Sequence, residues 1–172
     1  MKGGDEPWLR ALKYINSKPA VQDVVMSGGD SFLLASGSLT KLGEAVLAIP
    51  HVRRLRIASK GLCVSPSRFL DPKDTWTDAL IGLSNRGKMM GKEVYFHTHF
   101  NHSQEMSWVT REASQRLFQN GVKVRNQTVL LRGVNDDVPT MSALIRNLID
   151  NHIDPVPAHS SFQYTSLFSH IV

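Results

Sequence analysis

Ser27, Gly28, Gly29 and Asp30 form the segment of this chain whose residue types best suit chemistry, because they directly follow a short apolar run. Two adjacent glycines leave the backbone without Cβ atoms, so a ligand can approach the main chain and its N–H groups. The Asp30 carboxylate adds a negative group that suits an ammonium group or a ribose hydroxyl. The same residue types also form ordinary tight turns between a strand and a helix. The segment alone therefore leaves a ligand site and a simple turn as alternatives.

Further polar residues lie at the ends of the other predicted strands. They are, in chain order, Ser59-Lys60-Gly61, the segment 97–102, Asn126-Gln127-Thr128 and the loop 132–136. In parallel α/β sheets, ligand and catalytic residues gather where the strands end. We therefore expect these glycines, amides, hydroxyls and imidazoles to line one pocket.

The histidines of this set allow a metal site as one hypothesis. His97 and His99 share one face of a strand, and His102 lies just beyond it. No carboxylate occurs in that segment before Glu105, and histidines at strand ends often serve as hydrogen-bonding pocket residues. We favour the pocket interpretation and expect no metal ligands.

The remaining candidates also have two interpretations. Asn126 and Gln127 are flanked by apolar residues, so their amides need partners, either a ligand or another strand of a barrel, unless they form a turn. Lys60 could bind a carbonyl cofactor or a phosphate, although loop lysines are usually solvated. Arg53 and Arg54 are expected to face solvent or to bind carboxylates on a neighbouring helix.

Composition limits the classes of protein. The chain has 172 residues, is 41% hydrophobic and 20% charged, and carries a formal net charge of +5. Its basic residues are scattered, so anionic small molecules explain the charge as well as nucleic acid does, and we expect no nucleic-acid partner. No apolar run reaches the roughly 20 residues of a membrane span, and no leader is visible. We expect an intracellular, cytoplasmic protein with no membrane partner. The single cysteine, Cys63, is expected to be a packing residue.

Hydrophobic periodicity, capping residues and β-branched runs predict alternating helices and strands. The predicted helices cover Glu6 to Ser17, Leu39 to Ile49, a third begun by Asp71-Pro72-Lys73-Asp74, Ser107 to Phe118, and Thr140 to Asp150. The predicted strands cover Val21 to Met26, Val52 to Ala58, Glu93 to Thr98, and a fourth within Val122 to Leu131.

This alternation predicts an α/β protein with about four parallel βα units. A complete eightfold barrel needs roughly 250 residues, so the chain holds about half a (β/α) TIM-type barrel or a small doubly wound sheet. From Asp154 onward, prolines and a Ser/His-rich run replace periodicity and predict a loose tail. We therefore expect one partial barrel over residues 1–155 and a divergent, disordered tail over residues 156–172.

The strand ends also carry a family resemblance. The chain resembles the lysine 2,3-aminomutase-like radical S-adenosylmethionine enzymes, particularly their fungal members, in the order and spacing of several blocks between Glu6 and Pro155. The blocks are Val24 to Asp30, Ile49 to Ile57, Gly61 to Val64, His97 to His102, and Asn126 to Asp136.

The resemblance implies a partial barrel that holds S-adenosylmethionine against a [4Fe–4S] cluster, beside pyridoxal phosphate that carries an amino-acid substrate. In this family the Gly-Gly-Asp block meets the methionyl part of S-adenosylmethionine. A histidine and a glutamine, which correspond here to His99 and Gln127, reach the same cofactor. The expected cofactor-binding residues are Ser27, Gly28, Gly29, Asp30, Ser59, His99, Asn126 and Gln127, and no catalytic residue is expected.

The chain departs from the family in three places. The Cys-x-x-x-Cys-x-x-Cys cluster motif and the Pro-Gly-Gly-Gly-Gly-Lys segment, whose lysine binds pyridoxal phosphate, are absent, and residues 156–160 replace the expected Tyr-Tyr-x-Tyr-Gln-Cys-Asp run. We therefore expect a truncated aminomutase fragment that is inactive alone and binds S-adenosylmethionine weakly at most. The alternatives are a non-catalytic S-adenosylmethionine or nucleotide-binding α/β module, and a flavodoxin-like sheet with a phosphate ligand. The oligomeric state is left open.

Overall fold

The computed structural model describes residues 6–156, with side chains over 8–156, as alternating helices and strands. The helices are α1 (Glu6–Asn16), α2 (Ser36–Leu47), α3 (Gly61–Val64), α4 (Trp76–Met89), α5 (Trp108–Gln119) and α6 (Val138–Asp150). The strands are β1 (Asp23–Met26), β2 (Arg54–Ala58), β3 (Glu93–Thr98), β4 (Lys123–Gln127) and β5 (Ile153–Val156). In this part of the chain, no helix is long and apolar enough to cross a membrane.

All five strands are parallel and lie in the sequential order β1-β2-β3-β4-β5. Sequential order is the order of a (β/α) barrel, whereas a flavodoxin-like sheet has the order 2-1-3-4-5. The α/β class and the partial-barrel prediction are therefore confirmed.

Buried apolar side chains place the helices on one face of this sheet, which we call the outer face. Leu55 and Ile57 of β2 and Phe96 of β3 are fully buried there. They share one hydrophobic cluster with helix residues such as Leu80 and Leu117. Because side chains alternate across a strand, the residues between them point to the opposite, inner face.

The inner face is mainly polar and charged. Residues that pair across neighbouring strands form three rows, counted from the amino ends of the strands. The first row holds Asp23, Arg54 and Glu93, the second Val25, Arg56, Tyr95 and Lys123, and the third Ala58, His97, Arg125 and Asp154. Arg54 binds Asp23 and Glu93 on the two neighbouring strands, at 3.1 and 3.2 Å. The expectation that Arg54 binds carboxylates on a neighbouring helix was wrong, because the carboxylates that it binds belong to the same sheet, while 42% of its side chain remains exposed to solvent.

Helix boundaries follow their capping residues where the caps are strong. The Ser107 hydroxyl accepts a hydrogen bond from Thr110 N at 3.1 Å and begins α5, and the Asp137 carboxylate accepts one from Thr140 N at 2.9 Å and begins α6. α4 begins later than expected. Asp71 and Asp74 each accept a hydrogen bond from the backbone N–H two residues ahead, so both form turns before the helix instead of its first turn.

The fourth strand lies within its predicted range, and a fifth strand corrects the predicted tail. β4 ends at Gln127, and residues 129–131 are exposed, because the backbone N–H of Val129 and that of Leu131 donate to the Asn101 and Asn135 side chains instead of to a neighbouring strand. β5 was missed, so the tail predicted from Asp154 was wrong for residues 154–156. A proline fits there because β5 has a neighbour on one side only within the described sheet. Residues 157–172, the rest of the predicted tail, lie outside the described residues, and the domain division stays a prediction.

Candidate functional site

A pocket of about 240 Å³ lies at the carboxyl ends of β1 to β4. Its lining residues come from these strand ends and from the loops that follow them. They are Ser27, Gly29, Asp30, Ala58, Ser59, Lys60, His97, Thr98, His99 and Gln127. The structure thus brings together six of the eight residues expected to bind a cofactor, and Gly28 and Asn126 are outside this lining.

The segment after β1 leaves open space beside its backbone. Gly29 has a φ of +71°, the left-handed region that glycine adopts without strain, and a Cβ atom added to Gly28 or to Gly29 would meet no atom within 4 Å. Asp30 Oδ1 accepts a hydrogen bond from Phe32 N at 2.9 Å and so caps a single 3-10 turn, Ser31–Leu33. The turn fixes the Asp30 carboxylate at the pocket.

Buried contacts hold this turn against the sheet. The Ser31 hydroxyl donates to the Ala58 carbonyl of β2 at 2.7 Å, and Trp76 Nε1 donates to the Ser31 carbonyl at 3.1 Å. The Phe32 ring stacks on Phe69 at 4.9 Å. The Gly-Gly-Asp segment is therefore attached at its carboxyl end to the hydrophobic core.

The segment after β2 approaches the first loop closely. Ser59 N donates to the His97 carbonyl at 2.9 Å, and Ser59 Oγ accepts a hydrogen bond from Gly61 N at 2.8 Å. Gly61 is required for close packing, since an added Cβ would lie 2.5 Å from the Phe32 ring. Ser59 therefore lines the pocket with a hydroxyl that its own turn orients, and exposed Lys60 lies beside it.

His99 presents a neutral imidazole to the pocket near neutral pH. Burial lowers its pKa, and the charge of Lys60 lowers it further, against the opposing effects of Glu105 and a backbone hydrogen bond of Gln127. Its Nε2 lies 3.2 Å from Asn101 Nδ2, and the neutral ring can accept this hydrogen bond.

Asn126 and Gln127 have different environments although they are adjacent. Asn126 is fully buried, and its side chain accepts from Phe100 N at 2.6 Å and donates to the Phe100 carbonyl at 2.9 Å. Gln127 is exposed at the pocket. Asn126 thus connects the ends of β3 and β4, whereas Gln127 can contact a ligand.

Two polar atoms of residues in the pocket lining are buried without a partner, namely His97 Nε2 and Thr98 Oγ1. Buried polar atoms normally have hydrogen bonds, so the His97 nitrogen, on the inner face, can interact with a ligand. The Thr98 side chain has the strand parity of Phe96 and points to the outer face. Sequence analysis expected His97 and Thr98 to line the pocket as part of the segment 97–102, but it did not include them among the cofactor-binding residues, and it did not select Ala58. Strand alternation predicted the face of His97, but no sequence signal indicated that its ring would lack a partner.

Cys63 and the histidines do not assemble a metal centre in the described part of the chain, where no cluster of three or more potential ligands occurs. Cys63 Sγ donates to Glu105 Oε2 at 2.8 Å. Burial and this hydrogen bond raise the pKa of the Cys63 thiol to about 12, so it remains protonated near neutral pH. Cys63 also packs against the hydrophobic cluster, as predicted.

A parallel sheet in sequential order with a polar pocket at its strand ends defines a partial (β/α) barrel. The chain is 36% identical over 146 residues to an L-lysine 2,3-aminomutase of Fusobacterium nucleatum, an alignment that covers 85% of this chain and 32% of the relative. It is 39% identical over 137 residues to a putative L-lysine 2,3-aminomutase of Aquifex aeolicus, covering 80% of this chain and 36% of the relative.

A third relative, an L-lysine 2,3-aminomutase of Escherichia coli, is 33% identical over 158 residues, which are 92% of this chain and 43% of that protein. No protein-family model matches the chain. The chain belongs to a lysine 2,3-aminomutase-like family, as the resemblance predicted, and spans about a third of the length of the Fusobacterium and Aquifex relatives. The fungal assignment stays a prediction.

Proposed function

We propose that this chain is part of a radical S-adenosylmethionine amino-acid aminomutase, of the kind that moves an amino group from one carbon to the next, as from L-lysine to β-lysine. We further propose that its strand-end pocket binds part of S-adenosylmethionine. The observation that carries this proposal is the pocket itself, in which Asp30, His99 and Gln127 meet from the ends of three different strands.

The chemistry of the pocket suits the ligand. S-adenosylmethionine carries an ammonium group, a carboxylate and ribose hydroxyls. Asp30 can bind the ammonium group, the imidazole of His99 and the amide of Gln127 can bind hydroxyls, and the open backbone at Gly28 and Gly29 leaves space for the methionyl part. Ser59 and Asn126 are expected to keep the β2 and β4 ends in position.

The residues of this chain do not fit a [4Fe–4S] cluster. Such clusters are held by several cysteine thiolates, whereas the 172 residues contain one cysteine, which is protonated and bound to Glu105. The sequence also lacks the glycine-rich lysine segment that the resemblance associates with pyridoxal phosphate. We therefore propose that the 172-residue chain alone does not cleave S-adenosylmethionine or turn over an amino acid. An intracellular location and the lack of nucleic-acid partners remain part of this proposal.

Titration of S-adenosylmethionine against the full chain tests the binding proposal. Without a cluster to bind the amino and carboxylate groups of the ligand, we expect a Kd in the millimolar range, or about 4 kcal/mol of binding free energy. Gly28→Val should abolish binding without disturbing the fold, because the new side chain enters open space next to the pocket. Gly37→Val is the matched control, since Gly37 has equal space but lies in α2. Equal binding by the wild type and the Gly28 variant would refute the site.

Reconstitution with iron and sulfide tests the proposal that this chain alone holds no [4Fe–4S] cluster and does not cleave S-adenosylmethionine. We expect no stable four-iron absorption, and no 5′-deoxyadenosine when S-adenosylmethionine and a reductant are added. Detection of 5′-deoxyadenosine from the purified chain would contradict the proposal. Binding of an adenine nucleotide with the same affinity as S-adenosylmethionine would instead favour the non-catalytic nucleotide-binding module.

A further inference from the structure

The inner face of the sheet contains one arginine with no anionic partner. Asp23 binds both Arg54 and Arg56, and Glu93 binds both Arg54 and Lys123. Arg125, one row closer to the strand ends, makes no hydrogen bond or ion pair within residues 8–156, and its guanidinium stacks on the Tyr95 ring at 3.9 Å from the centroid. Stacking fixes the plane of the guanidinium while leaving its N–H groups at the edge available.

Arg125 lies beside an imidazole that also lacks a partner. Arg125 and His97 are direct register neighbours on β4 and β3, so their side chains project from the same row of the inner face. His97 Nε2 is buried and unpartnered, and His97 also lines the strand-end pocket. The Arg125 guanidinium and the His97 Nε2 atom, on side chains of one row, thus both lack a hydrogen-bond partner among the described residues.

We propose that Arg125 and His97 form a binding site for an oxyanion, the carboxylate or phosphate group of a small molecule, on the inner face next to the strand-end pocket. Arginine is suited to planar oxyanions, which it binds through two parallel N–H groups, and a neutral imidazole donates one more hydrogen bond. This site shares His97 with the lining of the strand-end pocket, but Arg125 lies outside that lining, and the site does not use Asp30, His99 or Gln127.

The surrounding charges favour an anion at this position. Burial and the charges of Arg56 on β2 and Arg125 on β4 lower the pKa of His97 to about 4, against the opposing effect of Asp23 on β1. The imidazole is therefore neutral near neutral pH, mainly because of its burial, and the positive charges that add to this shift also attract an anion. Asp154 of β5, the register neighbour of Arg125 on its other side, is exposed and opposes the anion.

An NMR titration of the histidine side chains tests this site. Inorganic phosphate and acetate would be added separately to the full chain near neutral pH, with chloride keeping the ionic strength constant. We expect saturable shifts of the His97 ring signals. Preference for phosphate would identify a phosphate group as the ligand, and preference for acetate would identify a carboxylate. Chloride alone should leave the signals unchanged. The absence of saturation with both oxyanions would overturn the proposal.

Variants separate the site from general charge effects. Arg125→Gln should weaken oxyanion binding about tenfold or more, because it removes a charge-assisted hydrogen bond, and Arg125→Lys should retain part of the binding. Arg111→Gln, an equal change of charge on the exposed part of α5, should leave the affinity unchanged. Asp154→Asn should strengthen binding. Equal loss in the Arg111 and Arg125 variants would show that net charge alone attracts the anion and would refute the site.

Discussion

Replacement of Asn126 by alanine tests how the strand-end pocket is held together. The Asn126 side chain makes hydrogen bonds of 2.6 and 2.9 Å to the Phe100 backbone and one of 2.7 Å to Thr128 Oγ1, all away from solvent. In the variant, the Phe100 carbonyl keeps the Thr128 hydroxyl as a donor at 3.2 Å, but Phe100 N–H loses its acceptor. A buried unsatisfied N–H and the loss of the other hydrogen bonds together predict a decrease of about 2–4 kcal/mol in the free energy of unfolding.

Urea denaturation measures this decrease, with unchanged m-values as the sign that the compactness of both states is unaffected. In thermal unfolding the same decrease corresponds to a Tm lower by about 5–15 °C. Gln127→Ala is the matched control, because it removes the neighbouring, exposed amide and should change stability by less than about 0.5 kcal/mol. If both variants were as stable as the wild type, Asn126 would not connect β3 to β4, and a direct role in ligand binding would be favoured instead.

Other predictions concern packing, pH and reactivity. Gly61→Ala should destabilise the fold by about 1–3 kcal/mol in urea denaturation, because its Cβ would lie 2.5 Å from the Phe32 ring, and an unchanged midpoint would contradict this contact. Hydrogen bonds from Tyr95, Lys123 and Arg54 lower the pKa of Glu93 to about 2. The Glu93 carboxylate therefore stabilises the fold at pH values above the pKa that it has in the unfolded chain. This stabilisation is lost as the pH falls from about 5 to 2. In the Glu93→Gln variant, the free energy of unfolding should therefore fall less between about pH 5 and pH 2 than in the wild type. Glu112→Gln, at an exposed position of α5, should leave this pH dependence unchanged. Iodoacetamide should modify Cys63 slowly near neutral pH and faster as pH rises, and rapid modification near neutral pH would show that its pKa is not raised.

Local signals in the sequence were sufficient for much of the fold. β3 spans Glu93–Thr98 as predicted, since its apolar outer face and its length are both visible in the residues. Ser107 and Asp137 begin α5 and α6 because their side chains accept hydrogen bonds from N–H groups of their own helices, which is a local signal. The four predicted strands and their parallel order followed from the spacing of these elements.

The details that the sequence did not predict arose where distant side chains determine the backbone. The end of β4 depends on Asn101 and Asn135, whose amides bind the N–H groups of residues 129 and 131 and so replace a strand neighbour. β5 is short and contains Pro155, which sequence rules associate with loops, yet it forms because Ile153 is buried and β4 offers a free edge. Neither effect is visible in a local window of sequence.

The candidate site was predictable in its location but not in its detailed contacts. Strand ends in a parallel sheet meet at one edge, so the topology was enough to expect Asp30, His99 and Gln127 in one pocket. The contribution of His97 depends on which groups its ring faces across three strands. That information appears only once the register of β2, β3 and β4 is known.

The basic composition of the chain has a structural explanation in the same register. Arg54, Arg56, Lys123 and Arg125 are separated in sequence and appear as scattered surface charges, but strand pairing collects them on the inner face. A closed barrel of this kind fills its interior mainly with branched apolar side chains, which pack in layers. Here Asp23 and Glu93 balance the lower rows, whereas the upper row has Arg125 next to a neutral imidazole. The row at the start of the strands is therefore net negative, whereas the two rows nearer the strand ends carry Arg56, Lys123 and Arg125 against Asp154 alone and are together net positive.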